Sequence, residues 1–257
     1  MITSTGNLQV KRLLQLQKKS KARNEEKVFL VEGLRMFMEV PEERVEKVYI
    51  SETLYNKKKQ ELKLEKFSVE VLSDSVFQHV SDTKTPQGIL CVVNQKEYDL
   101  ETVLNIENPH FMVLDNLQDP GNLGTIVRTA EAAGVDAVFV SKESVDIYNP
   151  KTIRSTMGSI YRMPVIYIED LLELLDIFKQ KGIKSYAAHL EGKNSYDKED
   201  YQSGTAILIG NEGNGLRKEI SNSADIWVRI PMEGKVESLN AAIAASVLMF
   251  EVYRQRR

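Results

Sequence analysis

The chain has 257 residues, 42% hydrophobic and 28% charged, with a formal net charge of -3. That composition supports packed cores under a charged surface. No apolar run approaches the roughly 18 residues needed to span a bilayer, so no membrane partner is expected, and the single cysteine, Cys91, excludes a disulfide framework.

The first residues are polar and basic, without the apolar core of a signal peptide, and with one cysteine this suits a cytoplasmic location. Seven basic residues (Lys11, Arg12, Lys18, Lys19, Lys21, Arg23, Lys27) stand against only Glu25 and Glu26 there. Clustered positive charge attracts polyanions, and a solvated helix face gives the same pattern. Apolar spacing over 8–16 predicts a short amphipathic helix. Strands are expected at 28–31, 45–50, 69–72 and 88–93, with helices over 35–40, 57–66 and 74–80. Thr85-Pro86-Gln87-Gly88 is a turn, with Pro fixing φ and Gly relaxing it. Residues 1–95 therefore read as a small α/β domain, and the polar stretch 96–109 as a linker to a second domain over 110–257.

In that second domain a strand at 111–114 leads into a loop, 115–124, rich in Asn, Asp, Pro and Gly. Leu123, Ile126, Val127, Ala130 and Ala133 fall at helical spacing, with Gly134 at the C′ position. Further strands are expected at 135–140, 183–190, 205–210 and 226–230. Asn149-Pro150 can start a helix through Arg154, and Asp170 caps another over 171–181. Ser238 stands where an N-cap belongs, before a long helix reaching Arg254. Strand-helix alternation argues an α/β fold with a mostly parallel sheet covered by helices on both faces.

The run Ala206-Ile207-Leu208-Ile209 stops at Gly210, Gly213 and Gly215, where the backbone can turn sharply and approach a ligand with no Cβ in the way. Neither G-x-G-x-x-G after a strand nor G-x-x-x-x-G-K-[ST] occurs, which weakens a dinucleotide oxidoreductase or an ATPase. His79, His110 and His189 are isolated and read as structural, Cys91 reads as packed, and no metal-ligand spacing exists. What remains are polar loop residues: Asn116, Asn122 and Arg128; Asn211, Glu212 and Asn214; Ser238 and Asn240. Singly, each has an ordinary reading as a turn, a solvated arginine or a cap. Together, at three strand ends, they form a candidate site.

Three stretches carry a family resemblance: Asp115-Asn116-Leu117-Gln118-Asp119-Pro120-Gly121-Asn122-Leu123-Gly124 through Arg128; Ile209-Gly210-Asn211-Glu212-Gly213-Asn214-Gly215-Leu216; and Ile230-Pro231-Met232 through Ser238-Leu239-Asn240. Their order and spacing resemble the SpoU (TrmH) ribose 2′-O-methyltransferases of the SPOUT class. Residues 1–95 look like the RNA-substrate domain of ribosomal-RNA members, related to a ribosomal-protein fold. The resemblance implies a C-terminal trefoil knot. It implies S-adenosylmethionine held at Gly210, Ile230 and Leu239, with Ile209 and Gly213 beside them. It implies Arg128, Glu212, Asn122, Ser238 and Asn240 as catalytic residues, and a homodimer packed through the last helix. The expected reaction is 2′-O-ribose methylation of RNA, with ribosomal RNA favoured over transfer RNA. A non-catalytic RNA-binding assembly factor and a glycine-loop nucleotide enzyme are the rivals from other classes.

Overall fold

Short polar side chains set most helix starts in this chain, and the apolar runs between them become strands. In the computed structural model, which describes residues 1–257, these elements gather into two units. One comprises Met1–Glu97 with Tyr148–Tyr161, the other Tyr98–Ile147 with Arg162–Arg257.

In the first unit Asn7 caps α1 (Leu8–Lys18) by accepting from the Gln9 amide at 2.8 Å. Val10, Leu13 and Leu16 bury one face of α1, leaving Leu8, Lys11 and Lys18 outside. There follow α2 (Ser20–Glu26), β1 (Val28–Glu32), α3 (Leu34–Glu39), β2 (Val45–Ser51), α4 (Glu52–Lys58), β3 (Val69–Leu72), α5 (Asp74–Val80) and β4 (Ile89–Asn94). The four strands lie in the order β1-β4-β2-β3, antiparallel except for the β2–β3 pair. The helix expected over 57–66 starts earlier and ends at Lys58, because Ser51 closes β2 and caps α4 at the Leu54 amide. Leu62 and Leu64, beyond it, turn inward and are buried.

The second unit contains α6 (Leu100–Leu104), β5 (His110–Leu114), α7 (Pro120–Ala132), β6 (Ala137–Ser141), β7 (Val165–Ile168), α9 (Leu171–Gln180), β8 (Lys184–Ala188), β9 (Asn194–Ser195), β10 (Thr205–Ile209), α10 (Lys218–Ser223), β11 (Ile226–Arg229) and α11 (Ala241–Arg256). The one helix between β6 and β7, α8 (Pro150–Thr156), belongs to the first unit. Seven strands run β7-β6-β5-β10-β8-β11-β9, every pair parallel. β5, β6 and β10 are buried along their whole length, which is why they read as unbroken apolar runs rather than alternating ones. Phe111, Phe139 and Phe178 form an aromatic trio in this core, with ring centroids 5.1, 5.6 and 5.7 Å apart. The fold is α/β with a parallel sheet and helices. No helix is long and apolar enough to cross a membrane.

The structure departs from the sequence reading at four places that bear on function. α7 begins at Pro120 rather than Leu123, because Asp119 accepts from the Asn122 amide at 2.8 Å and Pro120 suits the first turn. Asn122 therefore rides on a helix, not a loop. α11 begins at Ala241, not Ser238: Asn240 Oδ1 accepts from the amides of Ala242 and Ile243 at 2.9 and 3.3 Å, so Asn240 is the cap. The strand expected over 183–190 stops at Ala188, since residues 189–192 close a turn through the Gly192 amide and the His189 carbonyl at 3.0 Å. Finally, the expected 96–109 linker holds α6, whose Val103 and Leu104 enter the second core, while Tyr148–Tyr161 leaves the expected second domain. In the first unit Tyr148 stacks on Phe29 at 4.9 Å and the Tyr161 hydroxyl donates to the Met36 carbonyl at 3.0 Å.

Candidate active site

The carboxyl ends of β8, β10 and β11 converge on one cleft. The sheet order puts β10 between β5 and β8, and ligand sites in parallel sheets form at strand ends beside such a reversal. The cleft encloses about 370 Å³ and is lined by residues that follow each of these strands and by the entry to α11. Ile209, Gly210, Gly213, Ile230 and Leu239, the expected cofactor residues, all line it. The amides of Ile230 and Leu239 donate to no group within the chain, so they are available to a ligand.

The loop after β10 is closed on itself. Asn211 and Gly215 exchange both backbone hydrogen bonds at 2.9 Å, and Asn211 Oδ1 accepts from the amides of Gly213 and Asn214 at 2.9 and 3.1 Å. A Cβ on Gly210 would lie 2.1 Å from the Gly215 carbonyl carbon and from the Leu216 nitrogen. Gly210 therefore permits the loop to close, which is a backbone role before it is a ligand role. Gly213 differs: a Cβ there meets only Asn211 Oδ1, at 3.6 Å.

Three side chains lace this loop to the end of β5 and the start of α7. Buried Asp115 accepts from the Arg217 amide at 2.9 Å and its guanidinium at 2.8 Å. Asn211 Nδ2 donates to the Asn116 carbonyl at 2.9 Å; Asn116 itself is left-handed, with φ 56°, a conformation Asn tolerates. Glu212 accepts from the Gln118 amide at 3.1 Å, the Asp119 amide at 2.9 Å and Asn122 Nδ2 at 3.0 Å. Burial opposes the charge on Glu212, yet the Asn122 amide group and the two backbone donors outweigh it and hold the carboxyl below its usual range. Asn122 Oδ1 in turn accepts from Asn240 Nδ2 at 3.0 Å. Asn122, Glu212 and Asn240 thus form one hydrogen-bonded network, although they lie far apart in the chain.

The other two expected catalytic residues stand outside that network. Ser238 is exposed on the cleft rim and makes no hydrogen bond. Arg128 is exposed on α7 with neither a hydrogen bond nor an ion pair, so its guanidinium is free for an anionic ligand.

Sequence reasoning missed the cleft wall at His189, Leu190 and Glu191. His189, read as structural, stacks on Trp227 with centroids 4.1 Å apart and also lines the cleft. Gly192 was the available signal, since a Cβ there would meet the Val228 carbonyl carbon at 2.8 Å. Part of the N-terminal basic cluster is satisfied within the chain. Arg12 pairs with Glu26 at 2.7 Å and Glu46 at 2.6 Å, and buried Arg23 donates to the Leu16 and Gln17 carbonyls. Lys21 and Lys27 face Glu25 and Glu97 at 3.7 and 3.0 Å. Lys11, Lys18 and Lys19 remain exposed without an acidic partner.

A parallel α/β sheet with a ligand-sized cleft at its strand ends, flanked by a polar network, defines an enzyme that works on a bound small molecule. The chain belongs to the SpoU rRNA Methylase family, whose profile matches residues 109–250. The MRM3-like substrate binding domain matches residues 7–91. Among curated proteins, the 23S rRNA (guanosine(2553)-2′-O)-methyltransferase RlmP of Bacillus subtilis (strain 168) is 36% identical over 182 residues, 71% of each chain. Among solved structures, the AdoMet-bound rRNA methyltransferase of Sinorhizobium meliloti superposes with a TM-score of 0.87 at 28% identity, covering 98% of this chain and 97% of that one. The SpoU methyltransferase AviRb of Streptomyces viridochromogenes, in complex with AdoMet, gives 0.87 at 26% identity, covering 97% and 98%.

Proposed function

We propose that this chain is an RNA ribose 2′-O-methyltransferase acting on ribosomal RNA in the cytoplasm. The observation that carries the reading is the Glu212–Asn122–Asn240 network standing beside the strand-end cleft. S-adenosylmethionine is the family's cofactor, and when bound it supplies an electrophilic methyl group. The cleft suits it: apolar Ile209, Ile230 and Leu239 offer surface for a nucleoside, and the free amides of Ile230 and Leu239 offer donors. Glu212, ionised by its donors and lining the cleft, complements a cationic ligand.

In this reading Arg128 clamps the phosphate beside the target nucleotide, orienting the 2′-hydroxyl and stabilising the charge that develops on it. A guanidinium stays protonated, so Arg128 is not the general base. Glu212 fixes Asn122, Asn240 fixes the far side of Asn122, and Ser238 contacts the substrate or cofactor from the rim. Residues 1–95, of ribosomal-protein-like fold, carry the RNA substrate-binding role, and the second unit, Tyr98–Ile147 with Arg162–Arg257, carries methyl transfer. The reading includes a trefoil knot formed by the loop after β10 and the segment entering α11; the meeting of Glu212 and Asn240 on Asn122 supports it. It also includes a homodimer. Ile243, Phe250 and Tyr253 share one face of α11 and are 51%, 44% and 42% exposed, an apolar face that a second copy would cover.

The deciding experiment incubates the purified chain with methyl-labelled cofactor and either 23S ribosomal RNA or bulk transfer RNA, then maps 2′-O-methyl positions. Label confined to one ribose of ribosomal RNA is expected. Label in transfer RNA alone would move the substrate, and cofactor binding without transfer to either RNA would restore the assembly-factor reading.

A further inference from the structure

The first unit holds a second cleft that the methyl-transfer reading does not use. It encloses about 360 Å³, at the lower end of the roughly 300–1,000 Å³ typical of small-ligand sites, and opens where β2 ends, β4 begins and α5 starts. Leu54, Phe77 and Pro86 make its apolar surface. Its floor depends on Gly88, at φ +87°, where a Cβ would meet Ser51 Oγ at 2.6 Å and Leu54 Cβ at 3.0 Å.

The polar groups around it are set for recognition. Asp74 accepts from the Thr53 amide at 3.1 Å and its hydroxyl at 2.6 Å. Thr53, chiefly, holds that carboxyl below its usual range, and Lys57 adds to the effect. The Ser51 hydroxyl also favours the charged form, and the exposed carboxylate keeps capacity for one further donor. Gln87 Oε1 accepts from the Leu34 amide at 2.7 Å, which fixes the amide orientation and leaves Nε2 as a free donor. Gln78 and Lys57 are exposed on the lining with no hydrogen bond or ion pair.

An apolar slot edged by a carboxylate, two carboxamides and one exposed ammonium matches the needs of one unstacked nucleotide. The base slides between apolar walls, its edge meets the amides and carboxylate, and the ammonium meets the phosphate. We propose that this cleft binds an unpaired nucleotide of the substrate RNA, one whose base carries a ring N–H for Asp74, namely guanine or uracil. Adenine and cytosine present a ring acceptor at that position, which the carboxylate repels. The proposal rests on the reading of residues 1–95 as an RNA-binding domain, and it names the place within that domain where sequence is read.

The test uses the full chain and a Lys57→Ala/Gln78→Ala variant, both residues being exposed and making no hydrogen bond. RNA affinity is measured with the 23S fragment that the wild type methylates, and cofactor affinity by calorimetry. The variant is expected to bind that RNA about ten-fold more weakly, with a raised KM, unchanged kcat and unchanged cofactor affinity. In parallel, GMP and UMP should shift the backbone amide resonances of Thr53, Leu54 and Gln78, whereas AMP and CMP should not. Wild-type RNA affinity in the variant, or equal shifts from all four nucleotides, overturns the pocket while leaving the RNA-binding domain standing. A wild type that binds no RNA overturns both.

Discussion

Arg128 and His110 are the residues whose surroundings make the sharpest demands. Arg128 is exposed and makes no hydrogen bond or ion pair, so its removal should cost the fold little. Arg128→Ala should leave cofactor affinity nearly unchanged and cut methyl transfer by at least ~100-fold, the scale of losing one charge-stabilising donor. Arg128→Lys should rescue little, because a point charge does not reproduce the planar fork. Single-turnover methylation checks both; an alanine variant within a few-fold of wild type removes Arg128 from the reaction. His110 is the opposite case, 2% exposed and with Nε2 unpartnered. Burial, helped by the Arg256 charge, pushes it down to about 3. The folded chain therefore keeps this imidazole neutral where the unfolded chain, at about 6.5, protonates it. Stability should be full above pH ~6.5 and fall by up to about 1.4 kcal/mol per pH unit below it. Urea unfolding at pH 7.5 and 5 should show that loss in wild type and a smaller one in His110→Leu; equal losses would locate the effect elsewhere.

At the scale of elements, the loop after β10 separates two glycines that look alike in the sequence. Gly210→Ala drives a Cβ into the Gly215–Leu216 backbone and should cost about 1–3 kcal/mol or more, as overpacking does, with cofactor binding lost alongside. Gly213→Ala, with open space around it, should leave the melting temperature within about 2 °C of wild type. Equal melting temperatures for the two variants would contradict the closed loop. A larger Gly210 substitution thus fails as a clean probe of the cofactor pocket. What the sequence made legible follows the same physics. The buried strands β5, β6 and β10 announce themselves as apolar runs, and α9 through its Asp170 cap. Helix starts were misplaced where two candidate caps compete, as Ser238 and Asn240 do, since only geometry decides which side chain reaches the free amides. β9, two residues long and at the sheet edge, gives too short a pattern to register. The Asn122–Glu212–Asn240 meeting is a tertiary event, visible beforehand only through a family resemblance. The wall at His189 was lost because the strand was read two residues too long.

For the molecule as a whole, the exposed face of α11 and the stitching of its far end matter most. If a second copy covers Ile243, Phe250 and Tyr253, Phe250→Asp should convert a dimer into a monomer in sedimentation at micromolar concentration, because a carboxylate cannot be buried unpaired there. A wild-type chain that sediments as a monomer yet methylates RNA would contradict the dimer. The other end of α11 acts within one copy. Arg256 donates to the carbonyls of Asn108, Pro109, Tyr201 and Ser203, and Gln255 to that of Glu199. These bonds tie the entrance to β5, made early, to residues made late. During synthesis at ~5–20 residues per second, the entrance to β5 waits roughly seven to thirty seconds for Arg256 to emerge. The first unit waits as well, for Tyr148–Tyr161. Both units receive pieces late, so the newborn chain spends that interval with the β5 entrance untied and Phe29 of β1 without its stacking partner, the kind of open state in which chaperones find their clients.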